Sequence, residues 1–168
     1  MKIRDELPGD AASIHAVNEA AFEGPGEAAL VDTLRVAGAA VVSLVAEIDG
    51  EIAGHILFTE VTLDPPRAVR DTIGLAPVAV RPDLQGRGIG SALIEEGLRR
   101  CAKLGYGAAV VLGHPSYYPR FGFLPAHRFG LRCELPAPPE AFMALELVPG
   151  ALDAVEALVR YHPAFSSV

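Results

Sequence analysis

Three glycines at alternate positions, Gly86, Gly88 and Gly90, make residues 85–91 the segment of this chain best suited to bind a ligand. Glycine has no Cβ, so the backbone can approach a bound group closely at these positions. The loop leads directly into a predicted helix, and the first N–H groups of a helix have no partner within it. These features predict an anion site, most naturally for a phosphate or a pyrophosphate.

Two common nucleotide motifs do not fit this loop. A P-loop ends in Gly-Lys-Ser/Thr, and no lysine lies in or beside residues 85–91. A dinucleotide fingerprint requires G-x-G-x-x-G, but counting from either Gly86 or Gly88 places another residue at the third glycine position. The remaining pattern is Gln-x-x-Gly-x-Gly, formed by Gln85, Gly88 and Gly90. The simpler alternative is a glycine-rich turn without a ligand.

The elements on both sides of the loop can hold it rigidly. Ile73–Val80 is continuously apolar and reads as a central strand. Pro77 cannot donate to a strand ladder, so it predicts a bulge at which the strand bends away from a neighbour. A helix is predicted from Ile89 to about Lys103, with a stop at Gly105. Its apolar side contains Ile89, Leu93, Ile94, Leu98, Cys101 and Ala102.

A second segment with reactive side chains follows the next strand. Ala108–Leu112 is a β-branched apolar strand, and it leads into Gly113-His-Pro-Ser-Tyr-Tyr-Pro-Arg-Phe-Gly-Phe123. Tyr118 stands five residues before Phe123, and its neighbour Tyr117 would point elsewhere on a helix.

The glycine loop, the proline-interrupted strand and the tyrosine segment occur in an order that resembles the GNAT superfamily of acetyl-CoA-dependent N-acyltransferases, in its small single-domain bacterial branch. The resemblance implies an α/β fold with a central, mostly antiparallel mixed sheet, a splayed parallel pair of strands and flanking helices. It also implies one N-acetyltransferase domain over residues 1–168, with acetyl-CoA as co-substrate and no metal.

The resemblance also assigns roles to individual residues. The backbone of Val78, Ala79 and Val80 would hold the pantetheine arm, and Tyr118 would protonate the departing thiolate. The pyrophosphate would lie on the loop residues Gln85, Gly86, Arg87, Gly88, Ile89, Gly90 and Ser91.

The implied reaction is acetyl transfer to a primary amine, carried by a small molecule or a protein, by direct attack on the thioester. The acceptor would meet the region around Phe22–Leu34. The general base is open among Glu23, Glu27, Asp71, His55 and His114. Arg87 and Arg120 are candidates for the CoA phosphates. Two alternatives are an acyl-CoA sensor without turnover and an N-acyltransferase for longer acyl groups.

Composition narrows the class of protein. A chain of 168 residues, 51% hydrophobic, is long enough for the core of a single domain. Its net charge of −7 disfavours nucleic acid and anionic membranes as partners and favours a cationic substrate. The longest apolar stretch, Val36–Ala46, is too short to cross a bilayer. Two cysteines, Cys101 and Cys133, indicate reduced thiols and a cytoplasmic protein. The five histidines are too scattered for a local metal motif, and a homodimer is left open.

The remaining elements are predicted from caps, turns and periodicity. Asp10 is predicted to cap the first helix, and Asp49-Gly50 is the strongest hairpin signal. The predicted helices are Ala11–Phe22 and Glu27–Val36. The predicted strands are Lys2–Glu6, Val41–Ile48, Glu51–Val61, Phe123–Leu131 and Ala141–Leu147. Leu63–Arg70 reads as a loop, and Ala151–Arg160 could be helix or strand.

Overall fold

The computed structural model describes residues 1–68 and 70–168. These residues group into two compact units. The first comprises Met1–Phe58, Ala76–Gly97 and Pro163–Val168, and the second comprises Thr59–Leu75 and Leu98–His162. The prediction of a single domain stays a prediction.

The helices and strands follow in chain order. The helices are α1 (Ala11–Ala21), α2 (Gly26–Val36) and α3 (Ile89–Lys103). The strands are β1 (Lys2–Asp5), β2 (Ala40–Ile48), β3 (Glu51–Glu60), β4 (Thr62–Asp64), β5 (Thr72–Val80), β6 (Ala108–Leu112), β7 (Leu124–Pro125), β8 (Leu131–Cys133), β9 (Phe142–Glu146) and β10 (Ala157–Arg160).

The first unit is built on the predicted hairpin. Asp49 and Gly50 connect β2 to β3 with φ angles of 52° and 77°, the left-handed pair that a tight hairpin turn requires. β1 pairs antiparallel with β2, from Lys2–Glu47 to Asp5–Leu44. The neighbour order in this unit is β1, β2, β3 and β5.

Strand β5 carries the parallel pairing that the family resemblance implied. It pairs with β6 in parallel from Thr72–Ala108 to Leu75–Val111, and it then continues to Val80. In the second unit the neighbour order is β5, β6, β9 and β7, and β6 and β7 both pair antiparallel with β9. The fold class is therefore confirmed as an α/β fold with a mostly antiparallel mixed sheet.

Helix α3 packs through one apolar face, as its periodicity predicts. Ile89, Leu93, Ile94, Leu98 and Cys101 are buried on this face. Ala102 is exposed, contrary to the prediction, because it lies about 100° further round the last turn than Cys101. A Cβ on Gly97 would run into the ring of Phe58, 2.8 Å from Cζ. The missing side chain therefore lets helix and strand approach closely.

The region after β3 is more structured than the predicted loop over Leu63–Arg70. Thr62–Asp64 forms β4, which pairs antiparallel with β10. No local pattern predicts this strand, because its partner lies almost a hundred residues further along the chain. Ala157–Arg160, in the segment left open between helix and strand, is the strand that pairs with it. Val69 lies outside the described residues.

The predicted strand over Phe123–Leu131 is wrong. It divides into the short β7, a 3-10 turn at Ala126–Phe129 and then β8, which pairs in parallel with β10. Gly130 ends the turn with φ 74°, and a Cβ there would overlap the carbonyl oxygen of Val155. A continuous strand cannot pass through a residue held in that conformation.

Asp10 is the N-cap residue of α1, as predicted, but its side chain does not make the predicted cap. The carboxylate of Asp10 does not cap the helix. It accepts hydrogen bonds from the Leu7 N–H at 2.7 Å and from Arg4 Nη1 at 2.7 Å. A guanidinium within reach competes successfully with the helix N–H groups for a charged acceptor.

The two cysteines differ in environment. Cys101 is fully buried, and burial raises the pKa of its thiol to about 12. Cys133 is half-buried, and burial raises its pKa as well.

In the part of the chain that the structure describes, no helix combines the length and apolar character needed to span a bilayer.

Candidate active site

The loop between β5 and α3 presents its backbone to solvent. Gly86 and Gly88 have φ angles of 76° and 84°, a region that disfavours residues with a side chain. A Cβ at either position would have no heavy atom within 4 Å. The loop from Gln85 to Gly88 is exposed, whereas Ile89 is 4% exposed. The result is an open backbone cradle anchored by a buried side chain at the first residue of α3.

Side chains around the cradle hold it in shape. The Gln85 amide donates from Nε2 to the Val80 carbonyl at 3.1 Å, closing the loop onto the end of β5. Arg81 is committed to Asp83 at 2.8 Å and to Glu51 at 3.3 Å. Arg87 is exposed on the loop. Of the two arginines, Arg87 is therefore the better placed to meet an anion.

At the end of β5, the backbone N–H and C=O groups of successive residues point alternately towards β3 and away from it. The Arg81 N–H donates to the Ala53 carbonyl of β3 at 2.9 Å. Successive residues of a strand point their backbone groups to opposite edges, so Ala79 also faces β3. Val78 and Val80 face the other edge. Of the three residues predicted to hold a pantetheine arm, these two have the suitable backbone direction.

Tyr118 lies in the second unit, as the first residue of a 3-10 helix over Tyr118–Phe121. Its side chain is 7% exposed. Aromatic rings surround it: Tyr117 at 5.2 Å and 86°, Phe123 at 5.8 Å and 80°, and Phe121 at 6.3 Å between ring centroids. Edge-to-face contacts of this kind are favourable and fix the plane of a ring.

The surroundings of Tyr118 keep its hydroxyl protonated. Burial, with a smaller contribution from Tyr117, raises the pKa of Tyr118 to about 12. At neutral pH the phenol is therefore a hydrogen-bond donor. That is the protonation state a group needs in order to stabilise a developing thiolate.

The strand that leads to this tyrosine ends in a glycine against its ring. A Cβ on Gly113 would overlap the Tyr118 ring, 2.8 Å from Cδ2 and 3.2 Å from Cζ. Nothing in the sequence marks Gly113 as a contact of this ring. A glycine directly after an apolar strand indicates only a turn or a close approach, and does not say what approaches.

His55, one of the five candidate bases, belongs to a buried polar network in the first unit. The histidine is 0% exposed. Its Nε2 lies 2.9 Å from Ser43 Oγ, and its Nδ1 lies 3.3 Å from Asn18 Nδ2. Burial lowers its pKa from 6.5 to about 4.

The partners fix the tautomer of this histidine. Asn18 Nδ2 donates one proton to the Ile14 carbonyl at 3.0 Å and the other to Nδ1 of His55. The Ser43 hydroxyl donates to Glu6 at 2.9 Å, so it accepts from Nε2–H of His55. Both ring nitrogens are occupied inside the protein. This geometry argues against His55 as the base.

The carboxylate in this network is itself ionised and paired. Arg35 holds Glu6 with two hydrogen bonds, at 2.8 Å and 2.9 Å, and lowers its pKa. Arg35 also pairs with Asp32 at 3.0 Å. The network therefore ties α2 to Glu6, directly after β1, and through Ser43 of β2 to the buried histidine on β3.

The other candidate bases differ in exposure. Asp71 is bound to Arg67 at 2.9 Å and to the Thr72 hydroxyl at 2.9 Å, which leaves it poorly placed to take a proton. Glu23 and His114 are exposed, and Glu27 is half-buried. These three stay candidates.

Among the residues described, no cluster of three or more His, Cys, Asp or Glu could hold a metal.

A strand β5 that pairs in parallel with β6 and leads into an open glycine cradle, at the start of a helix with one buried face, is typical of the class of GNAT N-acetyltransferases. The chain belongs to this family, because residues 12–123 match the Acetyltransferase (GNAT) family.

Relatives with known names support the assignment along the whole chain. The chain is 40% identical over 167 residues to the "Uncharacterized N-acetyltransferase YhbS" of Escherichia coli K12, covering 99% of both proteins. The crystal structure of Escherichia coli YhbS in complex with CoA has a TM-score of 0.93 at 38% identity, and the match covers 98% of this chain and 91% of that one. A GNAT acetyltransferase from Brucella melitensis, in complex with acetyl-CoA, has a TM-score of 0.82 at 40% identity, with 98% and 97% covered.

Proposed function

We propose that this N-acetyltransferase transfers an acetyl group from acetyl-CoA to a primary amine by direct attack of the amine on the thioester. The open glycine cradle between β5 and α3 is the observation that carries the proposal. Relatives 38% and 40% identical to this chain have structures with CoA and with acetyl-CoA, and residues of this chain fit the same ligand.

The cradle fits a pyrophosphate for steric and electrostatic reasons. The positions of Gly86 and Gly88 leave open the space that side chains would fill, so phosphate oxygens can reach the backbone N–H groups. These groups lie at the start of α3, where the helix dipole favours negative charge. Binding here anchors the ligand far from its reactive end, and orientation of this kind lowers the barrier to reaction.

The end of β5 suits the pantetheine arm. Val78 and Val80 direct backbone groups to the edge away from β3, where an extended amide chain can pair with them. In this proposal the Val78 N–H donates to the acetyl carbonyl oxygen and stabilises the negative charge that develops there during attack. The Val80 carbonyl already accepts from Gln85, so Gln85 acts by shaping the loop.

Tyr118 is the proposed general acid. The amine nitrogen forms a bond to the carbonyl carbon, the C–S bond breaks, and the sulfur takes the phenolic proton. The amine releases one proton during the same turnover, and that proton restores the phenol through solvent or a base. Because the pKa of Tyr118 is about 12, the phenol is regenerated fully at neutral pH.

The acceptor enters as a neutral amine. An alkyl amine has a pKa near about 10, so most of it is protonated at pH 7 and must lose a proton before attack. Glu23, Glu27 and His114 are the candidate groups for that proton. The net charge of −7 favours the approach of a cationic amine.

The direct test is a panel of amines with acetyl-CoA, read by release of free thiol. The panel contains amino acids, polyamines, aminoglycosides, lysine peptides and peptides with free N-termini. Turnover with at least one amine, and amide formation confirmed by mass, is the expected result. Hexanoyl-CoA in a parallel series tests acyl length, and we expect acetyl-CoA to be the better donor.

Two outcomes would contradict the proposal. Tight binding of acetyl-CoA without thiol release across the panel would favour a sensor. Faster turnover with hexanoyl-CoA would assign the enzyme to longer acyl groups.

A further inference from the structure

We infer that Gly113 is a positioning residue for the reaction: the absence of a side chain there sets where the Tyr118 ring, and therefore its hydroxyl, can lie. This inference rests on the proposed role of Tyr118 as the acid. Gly113 is the last residue before the exposed segment that leads into the Tyr118 helix, and its proposed role requires no contact with substrate.

The packing at Gly113 leaves no room for a methyl group. A Cβ would overlap Cε2 of the Tyr118 ring and lie 2.8 Å from Cδ2 and 3.2 Å from Cζ. Non-bonded carbon atoms prefer about 3.5–4.0 Å. One whole edge of the ring, including the carbon that bears the hydroxyl, would have to move by about 1 Å.

The backbone at Gly113 is not free to give way instead. Its N–H donates to the Ala141 carbonyl at 3.0 Å, directly before β9. The preceding residues of β6 are paired with β9 through Leu112–Phe142. The glycine is therefore held by the sheet, and the tyrosine is the partner that moves.

The tyrosine itself is held on its other sides. Tyr117 and Phe123 meet its ring edge to face, and its own N–H donates to the His114 carbonyl at 3.4 Å. The ring lies between this aromatic set and the Gly113 backbone. Pressure from Gly113 would swing the hydroxyl away from its place, because the aromatic set fixes the opposite side.

The test compares Gly113→Ala, Tyr118→Phe and the double variant with an established acceptor. A misplacement of about 1 Å can cost about 100-fold in rate, so we expect Gly113→Ala to lower kcat by about 10- to 100-fold with little change in the KM for acetyl-CoA. In the Tyr118→Phe background the same substitution should cost less than about threefold, because the hydroxyl that it misplaces is already gone. A structural defect would lower kcat equally in both backgrounds.

Gly97→Ala is the control for crowding. Its Cβ would overlap the ring of Phe58, much as the Cβ of Gly113→Ala would overlap the ring of Tyr118. Phe58, however, has no proposed role in the chemistry. This variant should lose thermal stability and keep its kcat at saturating acetyl-CoA.

A second background covers the case in which Gly113→Ala alone does not fold. Leucine in place of Tyr118 removes the ring edge that the new methyl group would meet. Gly113→Ala with Tyr118→Leu should therefore fold and melt within a few degrees of Tyr118→Leu alone. A double variant that is as unstable as Gly113→Ala would overturn the inference.

The outcomes separate this inference from the proposed function. Full activity in Tyr118→Phe would show that Tyr118 is not the general acid, and it would also overturn the inference about Gly113. Slow turnover in Tyr118→Phe with normal kcat in Gly113→Ala keeps the acid and overturns only the positioning role.

Discussion

The hydroxyl of Tyr118, the proposed general acid, can be removed by a single-atom change. Tyr118→Phe keeps the ring and its aromatic contacts, so packing should survive. With the true acceptor, we expect kcat to fall by about 10²–10⁴-fold, while calorimetry finds acetyl-CoA affinity nearly unchanged.

Tyr117→Phe is the matched control, since Tyr117 packs edge to face on the same ring 5.2 Å away. It should keep most of its activity. Full activity in Tyr118→Phe, with the chemical step shown to limit turnover, would leave protonation of the thiolate to water or to His114.

The buried histidine predicts how stability depends on pH. The pKa of His55 is about 4 in the folded protein against an ordinary 6.5. Between these values the unfolded chain binds a proton that the folded chain does not, so stability is full above pH 6.5 and falls as pH drops towards 4. From pH 7 to pH 5 the loss should be about 2 kcal/mol, measured by urea unfolding.

A histidine variant tests this assignment. His55→Gln removes the titrating group and should flatten the change between pH 7 and pH 5, even though it lowers stability overall. The lowered pKa of Glu6 acts in the same direction, but it does so below the ordinary value of 4.5, outside this window. His127→Gln, at an exposed histidine, should keep the original slope. An equally steep loss in His55→Gln would place the acid sensitivity elsewhere.

At the scale of elements, the loop before α3 gives a prediction about ligand binding. Gly88→Val fills the open space of the cradle and should abolish the stabilisation that CoA confers. Gly38→Val is the matched control, because Gly38 has a similar φ of 69° and equally open surroundings at the end of α2. Both variants carry the same backbone strain, but only Gly88→Val should lose the CoA-induced shift in melting temperature. Equal CoA affinity in both would separate the loop from CoA.

The turn before β8 gives a prediction about folding. Gly130→Ala combines left-handed strain with overlap of the Val155 carbonyl, whereas Gly105→Ala has the strain alone, at φ 99° in open space. Gly105→Ala should cost about 1 kcal/mol, and Gly130→Ala more than about 3 kcal/mol, in denaturant unfolding. Similar losses would mean that the backbone moves aside at little cost.

Elements with a local sequence signal could be predicted from the sequence. The hairpin at Asp49-Gly50 follows from its turn chemistry, and α3 follows from its apolar period. In contrast, β4 is three residues long and exists because β10 pairs with it across a long separation. The turn at Gly130 depends on the position of Val155, which no local pattern reveals.

The site divides in the same way. The glycine spacing at residues 85–91 and the place of Tyr118 could be proposed from motifs. Three features depend on tertiary packing, which no local pattern reveals. They are the contact of Gly113 with the tyrosine ring, the pairing of Arg81 with acidic partners, and the burial of His55.

For the whole molecule, binding of acetyl-CoA should appear as thermal stabilisation. A ligand at 100 times its Kd adds about 2.7 kcal/mol to the free energy of unfolding, and each kcal/mol raises the Tm of a protein this size by about 2–4 °C. We therefore expect a rise of about 5–10 °C in a melting scan. NAD and ATP at the same concentration should give a much smaller rise. An equal rise with either would revive the nucleotide motifs that the glycine spacing excluded.

The environments of the two thiols have a practical consequence for enzymology. A disulfide reagent that counts liberated CoA reacts with thiolates, and the raised pKa values of Cys101 and Cys133 leave few thiolates on the folded enzyme at pH 8. The colour that develops should therefore report turnover almost without a protein blank. A sudden rise of the protein blank to two equivalents of thiol per chain would signal denaturation. The same assay therefore reports both turnover and the folded state of the enzyme.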